Sequence, residues 1–222
     1  EGRAELEMLI NAAPAADLTG RSAAIARSGE LDVLWEKVQS RMDGYEDDLG
    51  EQAVERRRRR RQRVLEVLGA RSKDWDDWHW HVNHLVMDER TLNRLVDLPS
   101  LQGQAIRQAL DGRLPFAITP YYASLMDDRP SDRDRAVRMQ VLPPTRYVQR
   151  MLACRGDMRE FDFMRETDTS PMDRITRRYP AIVILKPYNT CPQICVYCQR
   201  NWEITQALDP DAQAPRQELE RA

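Results

Sequence analysis

Along much of the chain, apolar residues recur at steps of three and four. Leu31, Leu34, Trp35, Val38 and Met42 form one such series, which predicts a helix within a mostly helical stretch over residues 1–72. A second helix is predicted from Gln52 to Leu68. Trp75, Trp78, Val82 and Leu85 repeat the spacing, with Asp74 placed to cap that helix. Leu101 to Leu110 predicts a short helix ended by Asp111-Gly112. In PFAITPYYASL, Pro115 and Pro120 break regular structure, and the pair Tyr121 and Tyr122 is expected to be buried. Pro143-Pro144 opens a helix that runs through Met151. Residues 157–178 read as polar and irregular. One segment has a different pattern. Ala181-Ile182-Val183-Ile184-Leu185 is continuously apolar and mostly branched, as in a strand buried on both faces of a parallel sheet. A helix is predicted after it, from Trp202 to Leu208.

Composition narrows the class. Of 222 residues, 41% are hydrophobic and 32% charged, which excludes collagen and a bilayer protein. No apolar run approaches the ~18 residues needed to cross a membrane. Lys and Arg number 34 against 36 Asp and Glu, and this balance argues against a general coating by nucleic acid. The basic charge is nearly all arginine, since the lysines are Lys37, Lys73 and Lys186 alone. Six arginines run from Arg56 to Arg61. Acids such as Glu46, Asp47, Asp48, Glu51 and Glu55 offset them, and no aromatic residue is interleaved to stack a base, so the run reads as a solvated helix face. The chain opens on Glu1 without a signal peptide and stops at Ala222 in a charged, helix-like stretch, so it reads as a piece of a longer protein.

The cysteines carry the candidate chemistry. Cys191, Cys195 and Cys198 fall within CPQICVYC, while Cys154 stands alone after Val148, Met151 and Leu152 as a small buried hydrophobe. Small disulfide scaffolds spread their cysteines along the chain, whereas three clustered thiols look like metal ligands in a reducing, cytoplasmic setting. Structural zinc usually pairs two C-x2-C units, and no second pair exists here. Three thiolates in one loop can hold three irons of a 4Fe–4S cluster and leave the fourth open. Zinc completed by Cys154 or a histidine remains an alternative. Of the clustered histidines, His81 and His84 can share a helix face but His79 cannot easily join them, so packing and surface hydrogen bonds are expected of all three.

The C-x3-C-x2-C spacing, with Tyr197 just before the third cysteine, resembles that of the radical S-adenosylmethionine enzymes. WDDWHWHV, ITPYYASL, ETDTSP, RRYP and CxxxCxxCQR follow in order over residues 74–202, and together they resemble the lysine 2,3-aminomutase (KamA-like) family. The resemblance does not cover residues 1–72. It implies an α/β fold in which a mostly helical N-terminal region leads into the start of a radical-SAM partial (β/α) barrel. The corresponding parts are an arginine-rich extension over residues 1–72, a helical region over 73–178, and the first strand, cluster loop and following helix over 179–222.

The resemblance further implies that Cys191, Cys195 and Cys198 hold a 4Fe–4S cluster and that S-adenosylmethionine sits on its open iron beside Tyr197. Arg200 would receive a substrate carboxylate. Arg178 and Tyr179 would contact pyridoxal 5′-phosphate, although Ile182 stands where the family has a further phosphate-binding arginine. None of the three lysines matches the lysine the family uses for that cofactor. The implied reaction moves an amino group between adjacent carbons of an amino acid, with lysine as the default substrate. An external donor such as flavodoxin or ferredoxin would supply the electron. Homo-oligomers are compatible with this reading, and neither membrane nor nucleic acid is expected as a partner. The alternatives are a KamA-like enzyme with another substrate, including a protein-bound lysine, or without pyridoxal phosphate, and a non-catalytic iron–sulfur or zinc module.

Overall fold

The computed structural model describes residues 19–44, 47–154, 158–162, 164–198, 200, 203–204 and 206–222. It divides into two units, residues 1–55 and residues 56–222. In the first, helix α1 spans Gly20–Met42, where the apolar spacing predicts a helix, yet none of its residues is buried. Residues 1–18 lie outside the described residues. No helix among the described residues is long and apolar enough to cross a membrane.

Helix α2 spans Glu51–Leu68. Val64 and Leu65 on its last turns are buried in the main core. Gly69 ends it in the left-handed region (φ +69°), and the next amide, of Ala70, donates to Leu65 O at 2.8 Å. The basic stretch from Arg56 to Arg63 is used within the fold. Arg60 pairs with Asp127, Arg63 lies 3.3 Å from Asp128, and the Arg61 guanidinium sits 5.3 Å over the Trp75 ring.

Helix α3 begins at Trp78 and ends at Asn83, which corrects the expected start. Its cap is Asp77, whose carboxylate accepts from His79 N at 2.9 Å, while Asp74 instead accepts from Arg71 N in the preceding 3-10 turn, Ser72–Asp76. Trp75 and Trp78 therefore belong to different elements. Trp80 is the tryptophan in the core, at 8% exposure, whereas Trp78 is 66% exposed. The three histidines each make a hydrogen bond: His79 to Asp77, His81 to Trp75 O and His84 to Trp80 O.

Helices α4 (Glu89–Leu95) and α5 (Ser100–Asp111) complete one side of the core with Leu92, Leu95 and Ile106. A bridge between Val86 and Ile118 draws the ITPYYASL segment into it and buries Phe116 and Ile118. The single turn α6 (Pro120–Ala123) is capped by Thr119. Tyr121 is exposed, contrary to expectation, because successive residues of a helical turn point about 100° apart and the turn packs inward through Pro120 and Ala123. Tyr122 is half-buried, and its hydroxyl donates to Gln140 Oε1 at 2.8 Å. Helices α7 (Arg135–Val141) and α8 (Thr145–Ala153) follow, the latter after Pro143-Pro144 as expected. A second core gathers Ala105, Val148, Met151, Cys154 and Phe161. Arg138 and Asp134 form an ion pair with both side chains 3% exposed.

The strand pattern is corrected in partner and in burial. Residues expected to be irregular include a helical turn α9 (Glu166–Thr169) and strand β1 (Ile175–Tyr179). β1 pairs antiparallel with β2 (Ile182–Leu185), with Ile175 opposite Leu185 and Tyr179 opposite Ile182. The two-residue Pro180-Ala181 connection can make only a hairpin, since a parallel neighbour needs a long crossover. All four β2 residues are exposed. The protein is thus α/β with a two-stranded sheet, and no barrel is formed among the described residues. Of the helix expected over Trp202–Leu208, the described residues 203–204 and 206–208 form none; Trp202 and Thr205 lie outside the described residues. That stretch bonds back to the cysteine loop instead, through Thr190 Oγ1 to Gln206 O at 2.9 Å and Asp209 N to Thr190 Oγ1 at 2.9 Å. A last helix, α10, spans Arg216–Arg221.

Candidate functional site

The cysteine loop follows β2 and lies against the helical region. Three contacts fix it. Ile194 N donates to Ala117 O at 2.9 Å, Val196 N donates to Gln140 O at 2.7 Å, and Thr119 Oγ1 donates to Gln193 Oε1 at 3.0 Å. Phe116, Val141, Tyr147 and Met151 make an apolar wall behind Ile194, Cys195 and Val196. The PFAITPYYASL segment thereby acquires a role that its sequence does not state. Its backbone between two buried residues offers the carbonyl, and its helix cap offers the hydroxyl.

All three loop cysteines are partly accessible and unpaired to one another by disulfide. Burial pushes the Cys195 thiol up, and Cys191 and Cys198 push it further. Burial likewise raises the Cys198 thiol, opposed by the Arg200 amide and reinforced by Cys191. Three thiolates carried on one eight-residue loop would repel one another, and a shared cation relieves such repulsion. The Arg200 amide lies 3.4 Å from Cys198 Sγ and donates to it, a bond of the kind that tunes thiolates on iron–sulfur clusters. No three His, Cys, Asp or Glu side chains among the described residues are drawn together on one point. The donor set nevertheless fits a cluster: three soft ligands, one loop, an amide on a sulfur and a dry wall behind. Cys154 does not belong to it. That thiol is buried in the second core and donates to Glu160 Oε2 at 3.2 Å.

Two phenols stand behind the loop. Tyr122 is pushed up to about 12 by burial, with Cys195 and Tyr197 adding to the effect. Burial raises Tyr147 further, with Cys198 adding. Tyr197 itself is 68% exposed.

Around Arg200 lies a group of ions, Lys186, Glu166 and Glu203, whose association the sequence did not show. Lys186, the first residue after β2, places Nζ 2.6 Å from Glu203 Oε1 and 4.0 Å from Glu166 Oε2. Glu203 turns its other oxygen to Arg200, 3.3 Å from Nε and 3.0 Å from Nη2. Arg200 Nη2 also donates to Asn189 Oδ1 at 2.8 Å and Tyr188 O at 3.2 Å. The arginine expected to receive a substrate carboxylate therefore already holds one from its own chain. Glu166, in the ETDTSP segment, is raised by burial, against the pull of Lys186.

A cavity of about 630 Å³ opens beside this group, lined by Thr167, Ser170, Arg174, Lys186, Asn189 and Glu203 among others. Arg174 is held in it by Glu218, at 2.9 Å.

Tyr179 is 54% exposed, and Ile182 opposite it offers no cation for a phosphate. The Arg178 side chain lies outside the described residues. A single exposed phenol is not a phosphate cradle, so the described residues alone do not fit pyridoxal phosphate.

The chain matches no family model. It is similar to an uncharacterized KamA family protein of Methanocaldococcus jannaschii, 37% identical over 215 residues that cover 92% of this chain and 34% of the relative. Glutamate 2,3-aminomutase of Clostridioides difficile is 29% identical over 148 residues, 67% of this chain and 33% of its own length. L-lysine 2,3-aminomutase of Bacillus subtilis is 34% identical over 126 residues, 57% of this chain and 25% of its own length. The chain thus spans about a third or less of the length of these relatives.

Proposed function

Because the chain is a KamA-like family member, we propose that the whole protein is a radical S-adenosylmethionine enzyme of the aminomutase type, an isomerase that moves an amino group between adjacent carbons of an amino-acid substrate. The cysteine loop is the observation that carries this reading. Its three thiols stand within one eight-residue loop, an amide donates to Cys198 Sγ, and an apolar wall lies against that loop. When bound, a 4Fe–4S cluster with S-adenosylmethionine supplies a 5′-deoxyadenosyl radical for hydrogen abstraction. The chain's own residues prepare for that chemistry. Cys191, Cys195 and Cys198 would hold the cluster. The contacts from Ala117, Gln140 and Thr119 fix the loop, and the wall of Phe116, Tyr147 and Met151 keeps water from its back. Tyr197, which is exposed, would contact S-adenosylmethionine. An external flavodoxin- or ferredoxin-like donor provides the electron. Lysine is the default substrate, after the lysine-named relatives.

Anaerobic reconstitution of the whole protein with iron and sulfide tests this. The expected results are the broad visible absorption of a 4Fe–4S cluster and, on reduction with S-adenosylmethionine, formation of 5′-deoxyadenosine. Cys195→Ser is expected to abolish both. Tight zinc binding with no deoxyadenosine formed would overturn the reading in favour of a metal-binding module.

A further inference from the structure

We infer that Lys186 and Glu203 are positioning residues for the iron–sulfur cluster: acting through Arg200, they hold a main-chain N–H on Cys198 Sγ and so raise the cluster's reduction potential. The inference rests on the cluster of the reading above and concerns what tunes it. It begins with one bond. The Arg200 amide donates to Cys198 Sγ at 3.4 Å. A donor on a ligand sulfur favours the form with more negative charge, which in a cluster is the reduced one. The bond works only while the amide keeps its direction.

Arg200 is gripped at two further points. Its carbonyl accepts from Glu203 N at 2.9 Å and from Ile204 N at 3.1 Å. Its guanidinium lies on Glu203 Oε2, 3.3 Å from Nε and 3.0 Å from Nη2. Main chain and side chain of Glu203 thus close on one residue. Nη2 also donates to Asn189 Oδ1 at 2.8 Å and Tyr188 O at 3.2 Å, which ties the stretch before Cys191 to the stretch after Cys198. Lys186, the first residue after β2, anchors the clamp. Its Nζ lies 2.6 Å from Glu203 Oε1, and the two side chains are 8% and 6% exposed. An exposed ion pair contributes little, but a buried carboxylate shared between two cations has little water to yield to. Lys186 and Glu203 carry opposite charge, so as a pair they add little net field at the sulfurs. What they supply is a fixed Arg200. This role concerns the Arg200 amide and is separate from what its guanidinium does toward a substrate.

Redox titration followed by electron paramagnetic resonance tests this on the whole protein, reconstituted with its cluster and without S-adenosylmethionine. Lys186→Met combined with Glu203→Met removes the clamp without changing the net charge, and a buried pair replaced as a whole by apolar residues is often tolerated. At a fixed potential, the ratio of reduced to oxidised cluster is expected to fall about threefold or more, about 30 mV for a one-electron couple. Glu203→Gln keeps an oxygen for Arg200 and removes a negative charge, so its potential is expected to stay level or rise. An unchanged or raised potential in the double variant overturns the inference. So does an equal fall in Glu203→Gln, which would mark a general disturbance of the loop. Should the double variant take up no cluster, Asn189→Ala decides. It cuts one tie to Arg200 with no change of charge. Its potential is expected to fall, and an unmoved one overturns the inference. Deoxyadenosine formation from S-adenosylmethionine under reduction reports on the enzymatic reading separately. An enzyme that makes deoxyadenosine with an unmoved potential refutes this inference alone. A cluster whose potential moves as stated but yields no deoxyadenosine refutes the enzymatic reading alone.

Discussion

At the scale of single residues, Arg138 shows how a charge can be buried and still stabilise. Its Nη1 donates to Asp97 O at 2.9 Å and its Nη2 to Asp127 O at 2.6 Å, while Nε meets Asp134. Burial pushes the Asp134 carboxyl up, but the bonds from Arg138, Ser131 N and Asp127 N outweigh it and hold the group below the usual carboxylate range. Because its folded pKa is depressed, the stability it contributes is present above its unfolded pKa and is lost as pH falls through the folded value. Arg138→Met removes the partner and leaves Asp134 buried. It is expected to cost about 3–5 kcal/mol at neutral pH. The loss should shrink in acid, where Asp134 can protonate. Urea unfolding of both proteins from neutral to acid pH checks this, and a pH-independent loss under about 1 kcal/mol would refute it. The same scale explains what the sequence showed of the site. The three cysteines are legible because their spacing is local. Glu203 is not, because its meaning comes from Lys186, 17 residues back across a loop, and from Arg200.

At the scale of elements, spacing found helices reliably and faces less so. The series Trp75, Trp78, Val82, Leu85 is a sound helical period, but a 3-10 turn ends at Asp76 and the helix starts afresh at Trp78. The phase is reset between them, and Trp80 becomes the core residue. Trp80→Ala is expected to cost about 3–5 kcal/mol, whereas Trp78→Ala should stay within about 0.5 kcal/mol. Equal losses in thermal unfolding would show the assignment to be wrong. The strand was legible for a related reason: an apolar, branched run of five residues has few other readings. Its partner was not, because ITRRY carries no clear period. Only the two-residue Pro180-Ala181 link specifies a hairpin. The cysteine loop's anchors were hidden too, since two of the three use backbone carbonyls, which any residue supplies.

At the scale of the whole molecule, β2 poses the sharpest question. Ile182, Val183, Ile184 and Leu185 are each between 41% and 58% exposed, and β1 is their one strand partner among the described residues. A branched apolar strand with an open edge recruits another strand or sheet when one is available. The chain covers only about a third of the length of its KamA-family relative. A single substitution separates the possible consequences. In the isolated 222-residue chain, Val183→Lys alters an exposed position, so it should change stability by no more than about 0.5 kcal/mol. It should also reduce self-association, seen by sedimentation velocity across a concentration series. In a protein of the relatives' full length, a covered β2 would force that lysine out of water, and the same change should cost on the order of 2 kcal/mol or more. Equal, small effects at both lengths would mean that β2 remains open in the larger molecule and that the apolar run was not made to be buried. A large cost confined to the longer chain would mean that the pattern read correctly as a two-sided buried strand, with its covering layers supplied by residues other than these 222.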